Sequence, residues 1–220
     1  MCAAMRMFDM QYRCEAVSLE GFIQRLATQL LPHGYFFYVS GFVPEGKDPR
    51  AVDEKLIHRY GVACSKWARA RKKRAGFANL QYVRLERTFV IVATHGEHPF
   101  FDLEGEGVRD FRRVSLKVGG YSVSVRGGHA HVRIELEEYR RLKAYLVELA
   151  THRSAEALSR EFQGVPFEPY APVRRQLLNI LRAVNRERKR AGFEPVPIAA
   201  LRLRRRIVRP FEDSGSKEAA

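Results

Sequence analysis

The chain has 220 residues, 45% of them hydrophobic, enough to bury one large core or a core with an appendage. Lys and Arg number 39 against 25 Asp and Glu, a net charge of +14 and a pI near 10.1, which points to a polyanionic partner, nucleic acid before anionic lipid. No apolar run approaches the roughly 18–20 residues of a membrane span, the first residues lack the apolar stretch of a secretory signal, and the three cysteines form no CxxC pair. These features argue against a membrane protein, a disulfide framework and a cysteine zinc site, and predict a cytoplasmic location.

In chain order, Ser18 is placed to cap a helix carrying Phe22, Leu26 and Leu30, which Pro32 and Gly34 end. Tyr35 to Pro44 reads as an aromatic, β-branched strand. Asp48 and Pro49 open a second helix with Val52, Leu56, Tyr60, Cys64 and Trp67 on one stripe, predicted to run to Gly76. A hairpin follows, turning near Glu86-Arg87, and its continuously apolar arm from Phe89 to Ala93 reads as a central strand covered on both faces. "DLEGEGVRDF" reads as a polar excursion. A helix from about Glu137 to Ala150, a short one after Ser154 and a long one from Pro172 close the chain. "KRAGF" ends two of these helices, at Lys73–Phe77 and Lys189–Phe193, with basic residues opposing the helix dipole and glycine in the left-handed stop position. The expected fold class is α+β: an antiparallel or mixed sheet of about five strands, ferredoxin-like or RNA-recognition-like, with C-terminal helices. The expected division is a sheet domain over residues 1–150, a helical extension with a basic tail over 151–211, and a disordered tail over 212–220.

The stretch "YSVSVRGGHAHVRI" carries the most information. A two-residue Gly-Gly loop fixes hairpin register, so Arg126 faces His129, Ser124 faces His131, and Ser122 faces Arg133. Alternation then puts Tyr121, Val123, Val125, Ala130, Val132 and Ile134 on an apolar face. The opposite face is basic and hydroxylated, suited to phosphate oxygens or to a solvated edge. The helix starting at Glu137 is the expected cover of the apolar face.

Further cations gather elsewhere. "SKWARARKKR" supplies Lys66, Arg69, Arg71, Lys72, Lys73 and Arg74, with Arg69, Lys72 and Lys73 predicted to share a face away from Trp67. "LRLRRRIVRPF" supplies Arg202, Arg204, Arg205 and Arg206. Together with Arg126 and Arg133 these are the candidate nucleic-acid-binding residues. Tyr35 to Tyr38 are alternate aromatics that could stack on bases or fill the core. A second histidine group, His95, Glu97 and His98, follows the buried strand and has the donors for a divalent ion or an acid–base pair.

His129-Ala130-His131 followed by the helical "YRRLK" resembles the HUH endonucleases, the superfamily of rolling-circle replication initiators, relaxases and single-tyrosine transposases. The resemblance implies Mg2+ or Mn2+ held by His129 and His131, Tyr139 or Tyr145 as nucleophile on a scissile phosphate, and Lys143 as a positioning cation. It further implies nicking or strand transfer on single-stranded or locally melted DNA by a plasmid or mobile-element protein. The alternative expectation is a non-catalytic DNA- or RNA-binding module that clamps its partner with the basic helix and the arginine-rich tail.

Overall fold

The computed structural model describes residues 12–211; the predicted disordered tail at 212–220 lies outside them. The chain is α+β and divides into two compact units, one built from residues up to Asp110 and again from Arg209 on, the other from Phe111–Val208.

The first unit is organised around a five-stranded mixed sheet in the order β1-β3-β4-β2-β5. Its strands are β1 (Glu15–Ala16), β2 (Phe37–Phe42), β3 (Leu80–Leu85), β4 (Thr88–Ala93) and β5 (Arg109–Asp110). Only β1 and β3 run parallel; the other neighbours are antiparallel. As expected, β4 is central and Val90 to Ala93 are buried in succession, because both sheet faces are covered. On one face Leu80, Tyr82, Ile91 and Ala93 pack with Tyr60, Val62 and Phe100. Helix α1 (Leu19–Gln24), continued by a π-helical turn, packs against β3; the Ser18 hydroxyl accepts from the Gly21 amide at 3.1 Å. Close approach explains Gly41, whose missing Cβ would lie 2.4 Å from the Phe89 ring across the β2–β4 ladder.

The predicted helix from Pro49 to Gly76 is two helices, α2 (Pro49–Arg59) and α3 (Lys66–Arg74). Gly61 takes a left-handed φ of 55°, Tyr60 and Val62 turn into the core, and the Ser65 hydroxyl restarts the chain by accepting from the Ala68 amide at 3.2 Å. The polar excursion after β4 contains a short helix, α4 (Pro99–Glu104), capped by His98.

One buried ionic group ties this unit together. Asp53 on α2 accepts from Arg84 Nε at 2.8 and 3.0 Å, from Tyr82 Oη at 2.5 Å and from Cys14 Sγ at 3.5 Å. Burial and the neighbouring Asp53 push the Cys14 thiol up to about 12, so it stays protonated and acts as a donor.

The second unit contains a separate three-stranded antiparallel sheet: β6 (Leu116–Val118), β7 (Tyr121–Arg126) and β8 (His129–Ile134). The β7–β8 register is the one the Gly-Gly loop dictates, from Tyr121 opposite Ile134 to Arg126 opposite His129. Gly127 and Gly128 both have positive φ, the backbone of a type I′ turn. Helix α5 (Leu136–Glu148), α6 (Ala155–Gln163) and the twenty-residue α7 (Ala171–Arg190) follow. The helix lying along β8 is α7, and α5 packs on α7; this corrects the expected cover. Helix α7 buries Val173, Leu177, Ile180 and Leu181, and its Gln176 amide donates to Ile134 O at 3.0 Å and accepts from Ile134 N at 2.8 Å. It completes the edge of β8 as a neighbouring strand would. Both "KRAGF" segments are helix stops: Phe77 N bonds Lys72 O at 3.0 Å and Phe193 N bonds Arg188 O at 2.9 Å, with Gly76 and Gly192 left-handed.

Candidate nucleic-acid interface

Helix α3 buries none of its side chains. At 100° per residue, Lys66, Trp67, Arg71, Lys73 and Arg74 fall within one arc, and all five are exposed. Trp67, expected in the core, is 78% exposed. Among the described residues no carboxylate pairs with these four cations. The inward arc differs from the one the sequence suggested. Arg69 is half-buried, donating to Cys64 O at 2.6 Å, while its own carbonyl accepts from Asn79 Nδ2 at 3.0 Å. Lys72 is also half-buried and acts on His98. Helix α3 is therefore anchored through Arg69 and presents an indole and four cations on one exposed side. The sequence signal for this was Ser65, a cap that ends the apolar stripe before Trp67.

The His95, Glu97, His98 group serves the fold of the same unit. His98 Nδ1 accepts from the Phe100 amide at 3.1 Å, so it caps α4. Burial, then Lys72, lowers its pKa, keeping the ring neutral and able to accept. The Glu97 backbone bridges the end of α3: Ala78 N bonds Glu97 O and Glu97 N bonds Gly76 O, both at 3.0 Å. His95 lies against Phe37, ring centroids 6.5 Å apart. Among the described residues no three His, Cys, Asp or Glu side chains are gathered as a metal-binding group. Tyr35 and Tyr38 are buried, so the aromatic strand fills the core.

In the second unit the polar face of β7–β8 carries Ser122, Ser124, Arg126, His129, His131 and Arg133, continued on β6 by Lys117, which stands opposite Ser122. Burial, then Arg126, Arg133 and Arg175 of α7, depress the His131 pKa. His131 Nδ1 and Arg133 Nε are buried and have no hydrogen-bond partner among the described residues. The carboxylate that alternation adds to this face, Glu135, is held by Lys117 Nζ at 2.7 Å. Such a field attracts anions and opposes cations.

Tyr139 and Lys143 lie one turn apart on α5, both half-buried. Tyr145 points to another side of the helix, where its hydroxyl donates to Glu161 Oε2 at 3.2 Å. That bond raises the phenol pKa, the opposite of what an attacking tyrosinate needs. Tyr145 lines a surface cleft of about 430 Å3 with Arg153, Arg160 and Glu161.

Parts of the arginine-rich segment are structural. Arg202 Nη2 pairs with the buried Glu168 at 3.0 Å, and the Arg206 amide donates to the same carboxylate at 2.9 Å. Arg205 lies 4.9 Å over the Tyr170 ring, and Arg204 and Arg206 are exposed. Arg188, within the basic end of α7, is also buried; it donates to Ala150 O at 2.7 Å and Arg153 O at 2.8 Å. No protein-family model matches this chain, and no curated protein sequence does either. Among the described residues no helix is long and apolar enough to cross a membrane.

Proposed function

We propose that the protein binds single-stranded nucleic acid, DNA or RNA, without catalysis, using α3 as a platform on which Trp67 stacks a base while Lys66, Arg71, Lys73 and Arg74 contact flanking phosphates. The observation that carries this reading is the exposure of Trp67 on the same side of α3 as four cations that meet no carboxylate among the described residues. An indole in that position leaves a large apolar face in water, and a flat partner that covers it removes that face from water. A base does so, and base–aromatic stacking contributes about 1–3 kcal/mol per base. The cations supply sequence-independent attraction to the backbone. The cytoplasm is the setting this reading implies, where the free thiols of Cys14 and Cys64 stay reduced.

Trp67 is the single tryptophan of the chain, so its emission reports on the platform directly. Titration with a 20-nucleotide oligothymidine at low salt is expected to quench it. Trp67→Ala is expected to weaken binding, measured by anisotropy of the labelled oligonucleotide, by about 5–150-fold, the equivalent of one stacked base. No quenching, with the same affinity in wild type and Trp67→Ala, refutes the platform.

A further inference from the structure

The second unit carries another basic surface, assembled from two elements distant in sequence. On the sheet, register places Arg126 beside His129, His131 beside Ser124, and Ser122 between Arg133 and Lys117. On α7, Arg175 acts on His131, and Asn179, Arg182 and Arg186 follow it at intervals of four, three and four residues, along one side of the helix. Arg175, Asn179, Arg182 and Arg186 are all exposed. From Arg175 to Arg186 the stripe extends about 16 Å. Arg186 lies near Glu187, at 3.6 Å, whereas Arg182 meets only the neutral Asn179, at 3.5 Å.

We infer that the polar face of β7–β8 and the Arg175–Arg186 side of α7 form one phosphate-binding track for a nucleic-acid backbone, with His131 at its sheet end. Three observations converge. The surface alternates guanidinium, imidazole and hydroxyl groups, all of them donors to phosphate oxygens. Acids take only the ends of this surface, Lys117 by Glu135 and Arg186 by Glu187; among the described residues Arg126, Arg133, Arg175 and Arg182 meet no carboxylate. Finally, His131 Nδ1 and Arg133 Nε have no hydrogen-bond partner among the described residues, so neither atom ties its side chain to a protein group. The groups around His131 are Ser124 and Arg126 from β7, His129 and Arg133 from β8, and Arg175 from α7. Burial and the three guanidinium groups around it lower the affinity of the ring for a proton. A bound phosphate compensates those charges and lets the ring take a proton, so affinity rises as pH falls. This track extends the nucleic-acid reading to a second surface and binds phosphates, not bases.

The test uses the full chain and two labelled 20-mers, oligothymidine and an abasic strand of equal charge, followed by anisotropy across a salt series. Arg126→Gln/Arg175→Gln/Arg182→Gln removes three exposed cations, and unchanged circular dichroism checks the fold. The expected result is a slope of log K against log salt that is shallower by about 2 for both strands, at about 0.7 for each phosphate no longer neutralised. Wild type should also bind the abasic strand more tightly at pH 5.5 than at pH 8, and His131→Gln should blunt that response. An unchanged slope in the triple variant overturns the track even if Trp67 still reports a stacked base. A reduced slope without any base-dependent change at Trp67 upholds the track and removes the α3 platform instead. A pH response identical in wild type and His131→Gln takes His131 out of the site.

Discussion

Replacing Asp53 with Asn tests how the first unit is held together. Asp53 is 4% exposed and gathers three donors, from Arg84, Tyr82 and Cys14. The guanidinium of Arg84 is 2% exposed, and its remaining carboxylate, Glu15 at 3.3 Å, is half in solvent. Asparagine keeps the shape but turns an N–H2 towards Arg84 Nε, leaving a buried cation facing a donor. Removing one member of such a pair typically costs about 3–5 kcal/mol, because the other charge stays buried and uncompensated. For a unit of this size, at about 4 °C per kcal/mol, the expected loss is about 12–20 °C in Tm. Fluorescence is a poor assay here, since Trp67 is exposed before unfolding begins; far-ultraviolet circular dichroism in urea is the appropriate one. Arg84→Met should cost less, because Asp53 retains the Tyr82 and Cys14 donors. The double variant should lose clearly less than the sum of the two, by about 2 kcal/mol or more. Additive losses, or a loss below about 1 kcal/mol for Asp53→Asn, would refute the reasoning.

Two further predictions concern the scaffold behind α3. His98 accepts from the Phe100 amide only when neutral, and its pKa is lowered in the folded chain. Its contribution is therefore complete above the unfolded value of about 6.5 and is lost as pH falls from there through the lower folded value. His98→Asn keeps an accepting cap without titrating, so its urea midpoint should fall less than that of wild type between pH 7 and pH 5; parallel curves would contradict this. At Gly96, φ is 134° and an added Cβ would lie 2.5 Å from Gly76 O and 2.6 Å from Ala78 N, all backbone. Gly96→Ala should cost about 2–4 kcal/mol and speed hydrogen exchange at the Ala78 and Glu97 amides, which bridge the end of α3. Unchanged exchange would show that the bridge tolerates the methyl.

What the sequence disclosed and what it concealed differ by the range of the interaction. The β7–β8 register, the two "KRAGF" stops and the caps at Ser18 and Asp48 were legible because each is decided within a few residues by glycine conformation or a local hydrogen bond. The burial of β4 was legible because an unbroken apolar run has few other homes. The break between α2 and α3 was hidden because Tyr60, Cys64 and Trp67 keep helical spacing straight across it, and only Gly61 and Ser65 mark the interruption. Charge counting also hid the division of labour among cations. Arg84, Arg188 and Arg202 look like any other basic residues in the sequence, yet each reaches buried carboxylates or carbonyls far along the chain.

The histidine pair shows why residue type and spacing stop short of chemistry. On a strand, His129 and His131 share a face whatever their role, and that geometry serves a divalent cation as well as it serves a phosphate. The sign of the surrounding field separates the two. Arg126 reaches the pair through the hairpin register and Arg133 through alternation, both readable locally. Arg175 comes from a helix more than forty residues on, brought there by the clasp of Gln176 on Ile134. To hold a cation, this face would need carboxylates to offset three guanidinium groups, and the Glu135 carboxylate is already bonded to Lys117. To hold a phosphate it needs no change in charge at all. The same electrostatic reasoning applies to α3, where exposed cations share a side with Trp67 and meet no acidic partner among the described residues, and it is why the proposed activity is binding with a steep salt dependence.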